Sequence, residues 1–237
     1  MTKLGIIGAM DIEVENLRNA MEQVEEKHRA GMKFYEGTLR GLPVVVARCG
    51  VGKVHAAMCV QVLADCFQVT HVVNTGIAGS LNADLDIADL VISVDAMYHD
   101  FDCCAFGYPR GRVPGTDVTA FPADDTLMAY AFAAAEQVNP GHNKMGRIAS
   151  GDQFICDQAA KDQIIERTHA LCTEMEGTAI AQTAFRNEIP FVIIRAISDK
   201  ADNSAEMDYP SFEKLAAERC AQVTLGLVEA LKAEEEN

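Results

Sequence analysis

The sequence contains no tryptophan, and aromatic residues make up only 6% of it. Positive charge is also scarce: 20 Lys and Arg residues stand against 35 Asp and Glu among 237 residues, so the formal net charge is −15. A surface this acidic repels nucleic-acid phosphates and anionic lipid headgroups. We therefore expect neither a nucleic-acid partner nor a membrane partner.

No apolar run reaches the roughly 18–20 residues that a membrane-spanning helix requires. The first ten residues, MTKLGIIGAM, hold one lysine and a short apolar run, which is not typical of a secretory signal peptide. No C-x-x-C pair occurs among the eight cysteines, a pattern typical of free, buried cysteines in a reducing compartment. We expect a cytoplasmic protein whose mature chain begins here.

The sequence also lacks the common motifs for metals and cofactors. Its six histidines show no ligand spacing, and H-E-x-x-H is absent. The segment GIIGAM is not the G-x-G-x-x-G of dinucleotide binding, and CGVGKV lacks the first glycine and the final Ser or Thr of a P-loop. We expect neither a metal nor an organic cofactor.

Short apolar runs alternate with amphipathic segments along the whole chain. This alternation predicts a mostly parallel central sheet covered by helices, in one α/β domain over residues 1–237. The apolar runs are continuous, as in strands that are buried on both faces. The predicted strands cover residues 3–10, 34–39, 42–50, 70–76, 89–100, 145–152, 170–175 and 190–198. The predicted helices cover residues 11–26, 52–67, 124–138, 157–168, 176–187 and 209–235.

One long irregular segment, DFDCCAFGYPRGRVPGTDVTAFP, covers residues 100–122. Loops of this length in a compact domain are usually functional or lie at an interface. This loop carries Phe101, Phe106, Tyr108 and Phe121, which make it apolar for a surface segment. We expect it to pack on a second subunit.

Charged residues and glycines follow the predicted strands. Ligands of open α/β sheets bind beyond the carboxyl ends of the strands. Taken singly, Glu13 is typical of a solvated acid in the first turn of a helix, and Asp199 is typical of a turn or a cap. Their placement together with other strand-end groups predicts a ligand site instead. Those other groups are Val51 between two glycines, TGIAGS (75–80), GDQFI (151–155), Met175, Glu176, Arg195 and Ser198.

Several of these segments resemble motifs of the nucleoside phosphorylase superfamily, and more closely those of its 5′-methylthioadenosine/S-adenosylhomocysteine nucleosidase family. The matching segments are GIIGAMDIEVENL, NTGIAGSL, YHDFDCCAFGY, SGDQFI, EMEGTAIA and RAISDKAD, which span nearly the whole chain. The resemblance implies a single α/β domain around a twisted mixed sheet flanked by helices. It also implies a homodimer without a cofactor, which hydrolyses an adenine nucleoside to adenine and a 5-thio-substituted ribose.

The resemblance also implies roles for individual residues. Glu13 matches the base that activates water, and Asp199 matches the acid that protonates the five-membered ring of adenine. Glu176 matches the glutamate that holds the ribose hydroxyls, and Met175 matches the residue packed beside the ribose. Phe154 matches the aromatic residue that stacks on the purine.

The remaining matches concern the edges of the site. The backbone amides of Phe154 and Ile155 correspond to groups that bind the adenine edge. Arg195 and Ser198 correspond to supporting residues, and we expect Arg195 to point toward the sugar side of the pocket. Ile77 replaces a serine of the family loop, although its backbone amide remains. Val51 and Phe212 match apolar contacts to the 5′ substituent, and Cys103, Phe106 and Pro114 match residues that close the partner subunit's 5′ pocket.

Three alternatives to this function stay open at this point. Phosphorolysis on the same fold uses an arginine three residues before the loop serine, but Asn74 and Ile77 occupy these positions and neither binds a dianion. A sister activity hydrolyses futalosine-type nucleosides. A nucleoside sensor without catalysis would have no use for both Glu13 and Asp199, so this carboxylate pair favours an enzyme and the phosphate argument favours a hydrolase.

Overall fold

Ten strands of the chain form one mixed β-sheet, with six α-helices around it, in a computed structural model that describes residues 2–236 except for the side chains of residues 206 and 207. The strands are β1 (Leu4–Gly8), β2 (Glu22–Arg29), β3 (Met32–Leu39), β4 (Leu42–Arg48), β5 (His71–Ser80), β6 (Leu90–Tyr98), β7 (Phe121–Pro122), β8 (Asn143–Ser150), β9 (Cys172–Glu174) and β10 (Phe191–Asp199). The helices are α1 (Asp11–Asn19), α2 (Lys53–Phe67), α3 (Asp125–Val138), α4 (Gln158–Thr168), α5 (Gly177–Arg186) and α6 (Ala205–Glu235).

Five of the strands close into a ring in the order β5, β10, β6, β8 and β9, because β10 pairs with both β5 and β6. From β5 the sheet continues outward through β1, β4 and β3 to β2. Strand β5 is parallel to β1 and β10 but antiparallel to β9. The predicted α/β class with a mixed sheet flanked by helices is confirmed.

The continuous apolar strands are buried on both faces, as predicted. In β4, Val44 and Val46 pack into a cluster with helices α1, α3 and α6, whereas Val45 packs into a second cluster with α2 and α5. Successive side chains of a strand point to opposite faces, so one apolar run fills two cores. Burying each such side chain contributes about 1.5–3 kcal/mol.

The prediction of a single helix over residues 11–26 is wrong. Helix α1 ends at Asn19, and Glu22–Arg29 forms β2, the outer strand, which pairs antiparallel to β3. Seven of its eight residues are exposed, so its sequence carries no hydrophobic period. Pairing with β3 creates this strand, and the Lys27–Glu36 ion pair joins the two. Charged side chains are usual on outer strands.

The boundaries of two other predicted elements have different outcomes. The predicted hairpin turn at residues 40–41 is confirmed, with Arg40 and Gly41 both at positive φ (51° and 77°), as a two-residue turn of this kind requires. Helix α6 begins at Ala205 rather than at the predicted residue 209, and Pro210 lies inside it. Within residues 2–236, no helix has the length and apolar character needed to span a bilayer.

Helices α3 and α6 approach closely at Gly226. A Cβ atom at this position would lie 2.8 Å from the Cβ of Ala134. We predict that Gly226→Ala lowers the free energy of unfolding, although alanine favours a helix by about 1 kcal/mol over glycine. Urea unfolding of a double-mutant cycle with Ala134→Gly measures the effect, and the two changes together should cost less than their sum. A stabilised Gly226→Ala variant would show that the helices can separate without cost.

Candidate active site

A cavity of about 270 Å³ lies where the carboxyl ends of β1, β5, β9 and β10 meet. It brings together eight of the predicted site residues, namely Glu13, Val51, Ile77, Phe154, Met175, Glu176, Ser198 and Asp199. The other lining residues are Ala9, Met10, Ala78, Gly79, Thr173, Glu174 and Tyr209. The cavity therefore lies at the sheet edge where the sequence predicts a ligand site.

Glu13 lies in the first turn of α1, and backbone amides hold its carboxylate. Its Oε2 accepts hydrogen bonds from the amides of Ala9 (2.7 Å) and Met10 (3.0 Å), and its Oε1 accepts one from Ile77 (3.1 Å). Burial raises the pKa of Glu13, while the charge of Arg195 and the three amides act in the opposite direction. Since Ile77 contributes only its amide, the serine expected there is not needed for this contact.

Asp199 ends β10 at a β-bulge. The pairing of β10 with β5 shifts between Ile197 and Asp199, so Ser198 is the extra residue and Asp199 lies opposite Gly79. The Asp199 carboxylate accepts hydrogen bonds from the amide of Ala201 and the hydroxyl of Ser198, both at 2.8 Å. Burial raises the pKa of Asp199 despite these two bonds.

Two glycines of β5 provide the space for these two carboxylates. A Cβ at Gly76 would lie 2.9 Å from the Cδ of Glu13, and a Cβ at Gly79 would lie 2.8 Å from the Oδ1 of Asp199. The glycines are three positions apart in β5, with Ile77 and Ala78 between them, so their Cα atoms lie roughly 10 Å apart along the strand. The cavity thus has one buried carboxylate at each of two places along β5.

Glu176 lies just before α5 and contacts the loop that follows β4. Its Oε1 accepts a hydrogen bond of 2.7 Å from the amide of Gly52. Gly50 and Gly52 have φ angles of 89° and 98°, which strongly favour glycine, and they hold Val51 at the cavity. Burial, and then the negative charge of Glu174, raise the pKa of Glu176 to about 8.

Arg195 does not line the cavity, and its direction toward the sugar side stays a prediction. Its side chain is 2% exposed and lies across from Gly76, where its Nη2 donates to Oε2 of Glu174 at 2.6 Å and to the side chain of Asn74. The cause is electrostatic, because a buried guanidinium needs a carboxylate partner and Glu174 provides it. Glu174 was not predicted, although it belongs to the quoted EMEG segment.

The other predicted residues lie around or away from the cavity. Ile155 lines a side cavity of about 30 Å³ that also borders Phe154 and Asp199. Phe212 does not line either cavity within the described residues; Tyr209 lines the main one, because α6 begins early enough to bring it there. Cys103, Phe106 and Pro114 lie on the long loop outside both cavities, and Phe106 is 81% exposed.

A larger hollow of about 600 Å³ lies at the amino end of β10, near Pro190 and Phe191. It is an open surface groove that contains none of the predicted site residues. The smaller cavity is the better candidate, because buried carboxylates with raised pKa values are typical of reactive sites. In the part of the chain that the structure describes, no cluster of three His, Cys, Asp or Glu residues could hold a metal ion.

The raised pKa of Glu176 predicts a pH dependence of stability. In the unfolded chain a glutamate has a pKa of about 4.3, so between that pH and about 8 the unfolded chain has released a proton that the folded protein still holds. Stability therefore falls as pH rises through this window, by at most ~1.4 kcal/mol per pH unit for one group. Urea unfolding of Glu176→Gln from pH 5 to 8 should give a shallower fall than the wild type.

Glu229→Gln, on the exposed surface of α6, is the matched control and should fall with pH as the wild type does. Parallel stability curves for Glu176→Gln and the wild type would contradict the prediction. A higher free energy of unfolding for Glu176→Gln than for the wild type at pH 8 would support the prediction most directly.

Comparison with known proteins identifies the family. The family model described as the phosphorylase superfamily matches residues 3–229. The 5′-methylthioadenosine/S-adenosylhomocysteine nucleosidase of Halalkalibacterium halodurans is 42% identical over 229 residues, which cover 96% of this chain and 98% of that protein. The nucleosidase of the same name from Neisseria meningitidis, solved with methylthio-immucillin-A, has a TM-score of 0.94 and 37% identity, and the match covers 97% of this chain and 100% of that one.

A protein with another activity also shares the fold. The futalosine hydrolase of Helicobacter pylori has a TM-score of 0.92 and 32% identity, and the match covers 97% of this chain and 98% of that one. The relative from Halalkalibacterium halodurans and the structure from Neisseria meningitidis are more similar in sequence. The chain belongs to the phosphorylase superfamily and, within it, to the 5′-methylthioadenosine/S-adenosylhomocysteine nucleosidase family.

Proposed function

We propose that this chain hydrolyses the N-glycosidic bond of 5′-methylthioadenosine and S-adenosylhomocysteine, giving adenine and the 5-thio-substituted ribose. The observation that carries the proposal is the placement of Glu13 and Asp199 in one cavity, each beside a glycine of β5. Such a reaction needs a base for water and an acid for the leaving group. The activity in the names of the two nucleosidases above supports the same assignment.

Asp199 is the acid in this proposal. Burial raises the pKa of Asp199, so the side chain retains a proton more readily than an exposed aspartate. The Ser198 hydroxyl and the Ala201 amide fix the carboxyl group against Gly79. Donating a proton to the nitrogen of the five-membered ring of adenine that is not bonded to the sugar makes adenine a neutral leaving group.

Glu13 is the base, and Glu176 and Met175 hold the sugar. As the bond from C1′ to adenine breaks, water adds to C1′ and gives its proton to the Glu13 carboxylate. Glu176 uses its Oε1 for the Gly52 amide, and among the described residues no hydrogen bond uses its Oε2, which we assign to a ribose hydroxyl. Carboxylates beside the ribose stabilise the positive charge that develops on the sugar.

Aromatic and apolar side chains complete the substrate site. Phe154 is 48% exposed at the cavity, so its ring is accessible for stacking on adenine, and it meets the ring of Tyr209 edge to face at 5.7 Å. The Phe154 and Ile155 amides bind the adenine edge. Val51, Met10 and Tyr209 provide the contacts for the alkylthio group, so Tyr209 takes the role that the sequence suggests for Phe212.

We further propose a cytoplasmic homodimer. All eight cysteines, each within the described residues, are free, which suits a reducing compartment. The long loop lies away from the cavity of its own chain and carries Phe106, which is 81% exposed, together with Cys103 and Pro114. Packing of this loop on a second copy would cover it and close the 5′ end of the partner's site.

Hydrolysis is favoured over phosphorolysis by the charge of the cavity. Four carboxylates line it, and none of its described lining residues is Lys, Arg or His. The side chain of Asn74 is committed to Arg195 and to the carbonyl of Ile7. A phosphate dianion needs cationic or amide donors, so this cavity would repel it.

We predict that purified protein releases adenine from 5′-methylthioadenosine and S-adenosylhomocysteine in phosphate-free buffer. Chromatography of the products, with and without phosphate, measures the reaction. If products form only when phosphate is present, and a sugar 1-phosphate is among them, the enzyme is a phosphorylase and the proposed hydrolase activity is wrong. Futalosine belongs in the same panel, and faster cleavage of futalosine would replace the substrate assignment.

Removing either carboxylic acid should nearly stop the reaction. We expect Glu13→Gln and Asp199→Asn each to lower kcat at least about 100-fold, which is the scale of general acid–base catalysis. Steady-state kinetics on 5′-methylthioadenosine measures both variants. A rate close to that of the wild type would remove that residue from its role.

Two further variants complete the test: one displaces the Glu13 carboxylate, and the other is a control outside the cavity. Gly76→Ala leaves Glu13 chemically intact but displaces its carboxylate, so its kcat should fall as in Glu13→Gln while the fold persists. Asp65→Asn, on the exposed surface of α2 and outside the cavity, should retain turnover close to wild type. An active Gly76→Ala variant would contradict the assigned position of the base.

A further inference from the structure

Glu174 borders the cavity, and both oxygens of its carboxylate accept hydrogen bonds from the protein. Its Oε2 accepts hydrogen bonds from Nη2 of Arg195 (2.6 Å), the amide of Gly177 (2.7 Å) and the amide of Glu176 (3.1 Å). Its Oε1 accepts the hydroxyl of Ser150. Both oxygens of this carboxylate therefore bind protein donors, three at Oε2 and one at Oε1. The protein partners of Glu174 indicate what it does at the site.

The first of these partners is the buried guanidinium of Arg195. The side chains of Arg195 and Glu174 are 2% and 4% exposed, so the pair is removed from solvent. Arg195 is also close enough to Glu13 for its charge to lower the pKa of that carboxyl group. Its other hydrogen bonds go to Asn74 and to the carbonyl of Ile194, so Glu174 is its bonded carboxylate.

The second set of partners is the start of α5. The first amides of a helix have no partner within the helix, and Glu174 accepts two of them, from Glu176 and Gly177. Ser150 extends the arrangement, because its Oγ accepts the amide and the hydroxyl of Thr178, both at 2.7 Å. The backbone that carries Glu176 is therefore fixed to the same carboxylate as Arg195.

We propose that Glu174 is a positioning residue for the hydrolysis proposed above: its carboxylate ties the Arg195 guanidinium to the first turn of α5, and so sets the placement and charge around Glu13 and Glu176. The proposal rests on the proposed function for its kinetic consequences. Its electrostatic consequence can be measured without substrate.

The direction of the effect follows from the groups that face this pair. They are Glu13 on α1, Glu176 before α5, His99 and Tyr98 at the end of β6, Cys172 on β9 and Cys220 on α6. Burial lowers the pKa of the histidine and raises those of the tyrosine and the two thiols, so these four stay neutral at neutral pH. Of this set, the two glutamates have pKa values raised by burial, and they are the groups on which a change in the charge of the pair acts.

The variant Glu174→Gln keeps the shape of the side chain and removes its charge. Arg195 then acts on Glu13 and Glu176 without competition, so both lose their protons at lower pH. We expect kcat/KM for 5′-methylthioadenosine to fall at least about tenfold at its optimum, and the acid limb of its pH profile to move down by at least about half a pH unit. This profile reports groups of the free enzyme.

Two further variants distinguish positioning from general loss of stability. Glu174→Asp keeps the charge but shortens the reach, so turnover should fall while the acid limb stays in place. The double variant Glu174→Gln/Arg195→Met removes both charges of the buried ion pair and with them the cation near Glu13, so its acid limb should move to higher pH. Movement in opposite directions is not expected of a merely structural role.

Asp95→Asn is the matched control for breaking a carboxylate–arginine pair. Asp95 binds Arg147 through two hydrogen bonds of 2.7 and 2.8 Å, away from the cavity. This variant should lose stability without moving the acid limb. If the limb stays at the wild-type pH in both Glu174→Gln and the double variant, the positioning role is overturned.

A measurement without substrate separates this proposal from the proposed function. Urea unfolding of the wild type and Glu174→Gln from pH 5 to 8 should show a shallower fall of stability in the variant, because Glu13 and Glu176 ionise more easily in it. A shallower fall in a protein that does not hydrolyse the nucleosides would overturn the proposed function and support the electrostatic link. Equal slopes in an active enzyme would overturn the role of Glu174 and leave the proposed function standing.

Discussion

The positive charge of Arg195 makes a cavity lined by four carboxylates possible in this fold. Its guanidinium is 2% exposed and bonded to Glu174, and its charge also reaches Glu13 and Glu176. One buried cation cannot neutralise three carboxylates, so burial raises the pKa values of Glu13 and Glu176. Glu176, with a pKa of about 8, therefore retains its proton at pH values where exposed glutamates are ionised.

The sequence predicts the layers of the fold well where the signal is local. Strands β1, β4, β5 and β10 are continuous apolar runs, and α2, α3 and α5 follow periodic segments, so these elements were predictable. Strand β2 was not, because its polar residues become a strand only by pairing with β3. Helix α6 begins at Ala205, before the predicted residue 209, and it includes Pro210.

The site was predictable as far as strand ends and family motifs identify residues. Both methods selected Glu13, Glu176 and Asp199, which line one cavity. Neither assigned Glu174 or Tyr209 correctly, because their importance comes from partners distant in sequence, Arg195 for one and Phe154 for the other. The burial of Arg195 against Glu174 was not predictable for the same reason, since the sequence does not distinguish an arginine that lines a pocket from one buried behind its lining.

The closed ring of strands gives the site a further property. Glu13 and Asp199 adjoin Gly76 and Gly79 of β5, and β5 is held by β10 on one side and by β1 and β9 on the other. The interval between these two glycines is three peptide units of an extended strand, a length fixed by covalent geometry and ladder hydrogen bonds. The distance between the two places where the carboxylates adjoin β5 is therefore set by the backbone of this strand, and a substitution of the side chains between them would not change it.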